Sequence, residues 1–205
     1  EDVSNIGSFF KTGYFSPKRT IAIAGNVVKE PKYYETIIGS ELKIFLNDAK
    51  VENDTQIRCI NGNVLNGKIE SINGFIGYFN NLVTIIPEGN DYRMFGWLPF
   101  VDNKILSLSN TSLSWLFNRN GSEVNSSLNG EERAIVVTGE MENVFPMDIY
   151  PMQLIKACLA FDIEKMEGLG IYEVIPEDFG LIDFSNTSKI EAQEIIREGI
   201  ELMIK

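Results

Sequence analysis

The sequence predicts an α+β protein: a small sheet carrying one helix on a face, followed by a mainly helical C-terminal part. Three observations lead there. Short β-branched and aromatic runs, closed by Gly, Pro or Asn-Gly, fill the first part of the chain. One short helical stripe interrupts them. From Pro151 onward the apolar residues recur at helical spacing instead.

Thr20, Ile21, Ala22, Ile23 and Ala24 form a β-prone run closed by Gly25, and Val27 and Val28 extend it past a kink. Pro31 then makes a turn, because proline fixes φ and withdraws a donor. Residues 33–38 read as a second strand ended by Gly39. Ser40 is placed to cap a helix over 41–46, in which Leu42, Phe45 and Leu46 share a face. Residues 56–60 return as a strand, with turns at Asn61-Gly62 and Asn66-Gly67. Residues 82–86 form a late strand stopped by Pro87 and Gly89. Two strands, a crossing helix and further strands fit a β-grasp arrangement.

The middle of the chain, about 91–142, is mixed. Residues 94–100 crowd bulky apolar groups into a short irregular stretch, which reads as a cover on the sheet or as an interface. Residues 111–117 suit a short helix, and 120–130 a polar loop. Pro151 opens a helix whose stripe is Leu154, Ile155, Cys158 and Leu159. Asp162 and Pro176 mark two shorter helices. Ser188 and Glu191 form a capping box for a terminal helix with the stripe Ala192, Ile195, Ile196, Gly199, Ile200 and Met203. That stripe reads as core packing, with a partner-helix seam as the alternative.

Composition narrows function further. The chain has 205 residues, starts at Glu1 without a signal peptide, and reads as a piece of a longer protein. Its hydrophobic fraction of 44% supports a proper core. No apolar run reaches the roughly 20 residues that span a bilayer. Net charge is −11, from 18 Lys and Arg against 29 Asp and Glu. The cations are scattered, so no basic stripe exists to displace counterions from nucleic acid, and docking on anionic lipid is disfavoured. There is no histidine, which rules out Ser-His-Asp and Cys-His sites within the chain. Cys59 and Cys158 lie far apart, outside any CxxC pair, and read as core residues in a reducing compartment.

No stretch carries strong catalytic chemistry. There is no P-loop and no GxGxxG after a strand. The glycine-containing segment 61–67 reads as hairpin chemistry before a ligand cradle. Glu131, Glu132, Glu140 and Glu142 read as solvated acids, and Asp148 as a capping residue for the Pro151 helix. Tyr33, Tyr34, Phe75, Tyr78, Phe79, Phe95, Trp97 and Phe100 read as sheet core, with a quinone pocket as the alternative. No catalytic, cofactor-binding or metal residue is assigned.

Five stretches stand in an informative order. They are Ile6-Gly7-Ser8-Phe9-Phe10-Lys11-Thr12-Gly13; Gly77-Tyr78-Phe79-Asn80-Asn81 leading to Pro87-Glu88-Gly89; Phe95-Gly96-Trp97; Asn129-Gly130-Glu131-Glu132-Arg133-Ala134; and Phe145-Pro146-Met147-Asp148-Ile149-Tyr150-Pro151. From one end of the chain to the other, they resemble NqrA, the peripheral component of the bacterial sodium-translocating NADH:quinone reductase. The resemblance implies a C-terminal part of NqrA. Residues 1–18 would be a remnant of a preceding nucleotide-fold-like domain, 19–100 a soluble-ligand-binding β-grasp domain, and 101–205 a mixed, then helical, C-terminal domain.

It also implies a non-catalytic, peripheral role on the cytoplasmic face of the inner membrane, supporting assembly and quinone reduction coupled to sodium export. The implied partners are the membrane subunits, NqrB foremost; quinone would bind through the N-terminal part absent here. No cofactor is implied in this chain, with NADH, flavins, iron–sulfur and quinone served by other parts of the complex. The chain departs from related iron–sulfur proteins in one place: residues 182–188 hold no cysteine, and thiolates are what such clusters require. It also has Asn80 where the family often has His, which weakens a proton-transfer role there. The alternative reading is a stand-alone β-grasp module for a small ligand.

Overall fold

The structure, a computed structural model, describes residues 2–49, 56–89 and 124–204. It divides into two compact units. The first holds the described residues up to Gly89 together with Val124–Ser126; the second begins at Ser127. Stretches 94–100 and 111–117, and with them Phe95, Trp97, Phe100 and the expected boundary at residue 100, lie outside the described residues.

The first unit opens with α1 (Asp2–Thr12), which buries none of its residues. The sheet follows: β1 (Lys18–Ala24), β2 (Lys32–Ile37), β3 (Ile57–Asn61), β4 (Lys68–Glu70) and β5 (Leu82–Pro87), with α2 (Leu42–Asp48) after β2. Strand order is β2-β1-β5-β3-β4. β1 runs parallel to β5, and the other neighbours are antiparallel. This is the expected α+β, β-grasp-like sheet with a crossing helix.

The alternation in β1 sends Arg19, Ile21 and Ile23 to one buried face. The two isoleucines join a core of Leu42, Phe45 and Leu46 from α2 with Cys59, Val83 and Ile85 from the central strands. β1 stops at Gly25, whose φ of +136° suits glycine and where a Cβ would sit 1.8 Å from the Ile85 carbonyl oxygen. Val27 and Val28 therefore do not extend β1. They reach the same core from a turn closed by Val28 N–H donating to the Gly25 carbonyl at 3.1 Å.

Ser40 does not cap α2. The cap residue is Glu41, without a side-chain bond. The Ser40 hydroxyl is held instead by the Ile37 carbonyl at 2.7 Å and Thr36 Oγ1 at 2.5 Å. Backbone pairing takes over at this entry, since Leu42 N–H donates to the Gly74 carbonyl and Ile76 N–H to the Ser40 carbonyl, both at 3.0 Å. Three-residue β4 has no counterpart in the sequence reading, because so short a run gives no periodicity to detect.

The second unit is helical: α3 (Pro151–Leu159), α4 (Ile163–Gly168), 3₁₀ turns at Ile171–Glu173 and Pro176–Phe179, α5 (Gly180–Ser185) and α6 (Ala192–Ile204). Its core gathers Leu154, Ile155 and Cys158 of α3, Met166 of α4, Phe179, Ile182 and Ile196. Leu159 leaves that stripe and is half exposed, since α3 ends there. Asp162 caps α4 as expected, accepting from Lys165 N–H at 3.2 Å. Pro176 starts a 3₁₀ turn that runs straight into α5.

Two expected caps are absent. Asp148 makes no cap for α3, whose cap position is Tyr150 without a side-chain bond. The box of Ser188 and Glu191 does not form either, because the Ser188 hydroxyl donates to the Ala134 carbonyl at 3.2 Å. Asp183 of α5 does that work: its carboxylate accepts from Ala192 N–H at 2.5 Å, Gln193 N–H at 3.4 Å and the Gln193 side-chain amide at 2.8 Å. No helix among the described residues is long and apolar enough to cross a membrane.

Candidate functional site

In the first unit the polar turns converge at one end of β3 and β5. Asn61, almost fully buried, ends β3 and donates its side-chain amide to the Phe75 carbonyl at 2.9 Å. Its own carbonyl accepts from the Asn80 side chain at 3.2 Å. Asn63 Oδ1 accepts from Leu65 and Asn66 N–H at 2.8 and 3.0 Å, which closes the 61–67 turn on itself. Hairpin chemistry therefore accounts for most of this segment, and Asn80 serves as a clasp. One atom is left over: Asn61 Oδ1 is hidden without a hydrogen-bond partner.

The aromatic residues around these turns are not sheet core. Tyr34 alone of the described set packs against the buried cluster, edge-to-face on Phe45 at 5.2 Å. Tyr33, Phe75, Tyr78 and Phe79 are exposed. Tyr78 and Phe79 meet edge-on at 4.9 Å, and the buried Arg19 guanidinium lies 5.2 Å from the Tyr78 ring centre while donating to the Tyr78 carbonyl. At the other end of β3, Arg58 grips Glu88, which also accepts from Ser126 Oγ at 2.8 Å. Both contacts hold the Glu88 carboxyl below its ordinary range, the Arg58 bond most.

Neither thiol is poised for chemistry. Both are buried, and burial raises Cys59 and pushes Cys158 up to about 11. Thiols held protonated in this way are poor nucleophiles. No group of three or more His, Cys, Asp or Glu able to hold a metal ion occurs among the described residues.

In the second unit the cysteine-free stretch 182–188 is organised by two polar side chains. Asn186, fully buried, donates to the Ile182 carbonyl at 2.8 Å and the Ile190 carbonyl at 3.3 Å, and accepts from Ile190 N–H at 3.2 Å. Asp183, beside it, holds the α6 N-terminus; burial raises its carboxyl above the ordinary range, against the opposing pull of the Gln193 and Ala192 bonds. Glu140 is not simply solvated, since it takes both the backbone N–H and hydroxyl of Thr187 at 2.9 and 2.8 Å. Glu142 likewise hides Oε2. Glu131 and Glu132 are exposed, as expected. Sequence reasoning missed Asp183 because its bonding partners begin nine residues away. It missed Asn186 because nothing in its immediate neighbours marks it as buried.

A β-grasp-like sheet followed in one chain by a helical unit defines the class by fold, an α+β protein with a β-grasp-like part. Comparison with known proteins makes it specific. Residues 20–71 match the family described as NQRA C-terminal domain. Three relatives are named as the A component, NqrA, of Na(+)-translocating NADH-quinone reductase. The one from Neisseria meningitidis serogroup B is 32% identical over all of this chain and 45% of its own length. That of Rhodopirellula baltica is 35% identical over 98% of this chain and 44% of its own length. That of a Marinomonas species is 34% identical over all of this chain and 46% of its own. The chain thus spans less than half the length of these relatives, and from end to end it is similar to the C-terminal part of NqrA.

Proposed function

We propose that the chain is a non-catalytic peripheral portion of a Na(+)-translocating NADH-quinone reductase, supporting assembly of the complex and quinone reduction coupled to sodium export. In this reading it docks on the membrane subunits from the cytoplasmic face, with NqrB as the first contact. NADH, flavins, iron–sulfur and quinone are then handled by other parts of the complex. The observation that carries the proposal is the end-to-end match to relatives bearing that name. The buried, protonated thiols agree with a part that performs no redox step of its own.

The test is a pull-down of the chain against detergent-solubilised membranes of the source bacterium, paired with an NADH oxidation assay on the chain alone. Recovery of the reductase's membrane subunits without turnover is expected. NADH oxidation by the isolated chain would overturn the non-catalytic role.

One observation favours a second reading, a β-grasp module for a small ligand. Asn61 Oδ1 is buried and unsatisfied, its amide holds the Phe75 carbonyl, and Phe75, Tyr78 and Phe79 are exposed with rings that suit a flat partner. A ligand screen read by thermal shift tests it, because binding to the native state raises its stability. No shift from any compound removes this reading.

A further inference from the structure

Two depressions lie side by side in the second unit, on either side of the 3₁₀ turn Ile171–Glu173. One, of about 190 Å³, is apolar: Ile171 and Val174 with Ile200 and Met203 line it, and exposed Tyr172 and Ile204 stand at its sides. The other, of about 240 Å³, is acidic, with Asp148, Glu167 and Glu173 around the backbone of Gly168–Gly170. None of these three carboxylates forms an ion pair among the described residues; Glu167 accepts only the Tyr172 hydroxyl, at 2.8 Å. Among the described residues, no Lys or Arg lines either depression.

Exposed Tyr172 and Ile204, with partly buried Ile200 and Met203 between them, gain by being covered, and unpaired acids beside them select what covers them. An acidic or neutral segment would bring like charge, or none, to the second depression. We propose that this surface docks a basic amphipathic helix of another protein. Its aliphatic side chain enters the groove between Tyr172 and Ile204, and a Lys or Arg about one turn along reaches Glu167, Glu173 or Asp148. Helix-in-groove recognition works through that spacing of apolar anchors with charges alongside. The chemistry of this surface stands whichever complex the chain serves in.

The experiment titrates the full chain with two designed helical peptides of identical apolar pattern, one rich in Lys and one in Glu. Amide chemical shifts are followed across residues 148–150, 167–174 and 200–204. Shifts there with the Lys peptide, and none with the Glu peptide, are expected. The paired substitution Glu167→Lys with Glu173→Lys should weaken binding at least about tenfold, and Met203→Glu should do the same through the groove. Both sites lie at the surface or its edge, and far-ultraviolet circular dichroism confirms folding of each variant.

The control is Glu191→Lys with Glu198→Lys, two exposed acids at and on α6, outside both depressions. If that pair weakens binding equally, attraction is to the net charge of the chain and the proposal fails. Shifts confined to other residues, or no binding of the Lys peptide, overturn it as well.

Discussion

At the scale of single residues, two contacts concentrate the demands of the second unit. A Cβ on Gly199 would stand 2.7 Å from the Cys158 sulfur, with Met166 Sδ at 3.6 Å, so α6 approaches α3 through the absence of a side chain. Gly199→Ala should therefore destabilise by about 1–3 kcal/mol despite the better helix propensity of alanine, the usual cost of overpacking. Adding Cys158→Ala should restore part of the loss, and a denaturant double-mutant cycle measures the coupling. Asp183 is the second contact. Asp183→Ala removes the α6 cap and should cost about 0.5–2 kcal/mol, whereas Asp183→Asn keeps an acceptor and should cost less. Burial raises the Asp183 carboxyl, so its contribution is greatest on the acid side and is lost as pH rises through its folded pKa. Asp183→Asn should flatten that limb of the stability curve.

At the scale of elements, the first unit behaves oppositely. Arg58 of β3 and Ser126 hold Glu88 just beyond the end of β5 and lower its pKa. A lowered carboxylate contributes stability above its unfolded pKa and loses it as pH falls through the folded one. Hydrogen-exchange protection factors of β3 and β5 amides should fall in that acid window, and Arg58→Ala should remove most of the acid dependence. Acidification through the carboxylate range thus loosens β3–β5 while it favours the α5–α6 joint. Residue-resolved exchange at two pH values checks both signs.

Whole-molecule electrostatics follow from a net charge of −11. Self-repulsion on that scale opposes the compact state, and salt screens it over a Debye length of about 8–10 Å near physiological ionic strength. The melting temperature should rise when sodium chloride is increased from low salt to physiological strength. A fall would mean that exposed pairs such as Arg197–Glu194 and Lys32–Asp48 outweigh the repulsion. The basic helix proposed for the groove beside Tyr172 is selected by the local acids Asp148, Glu167 and Glu173 and not by this net charge.

The sequence by itself determined the kinds and order of most elements. Gly25, Asn61-Gly62 and Pro87 end strands through their own backbone limits, and the stripes of α2, α3 and α6 announce their buried faces by spacing. The resemblance carried by 6–13, 77–89, 95–97, 129–134 and 145–151 was equally legible, because it needs only residues in order. Tertiary structure decided the rest. Ser40 and Ser188 stand at good cap positions, yet the Ser40 hydroxyl turns back to Ile37 while distant Ala134 takes that of Ser188, and Asp183 reaches α6 only once α5 is folded beside it. Phe75, Tyr78 and Phe79 look like core by composition but sit on turns that the sheet holds outward. Propensity and spacing act between near neighbours, whereas capping from afar, aromatic exposure and the two depressions depend on groups brought together only by packing.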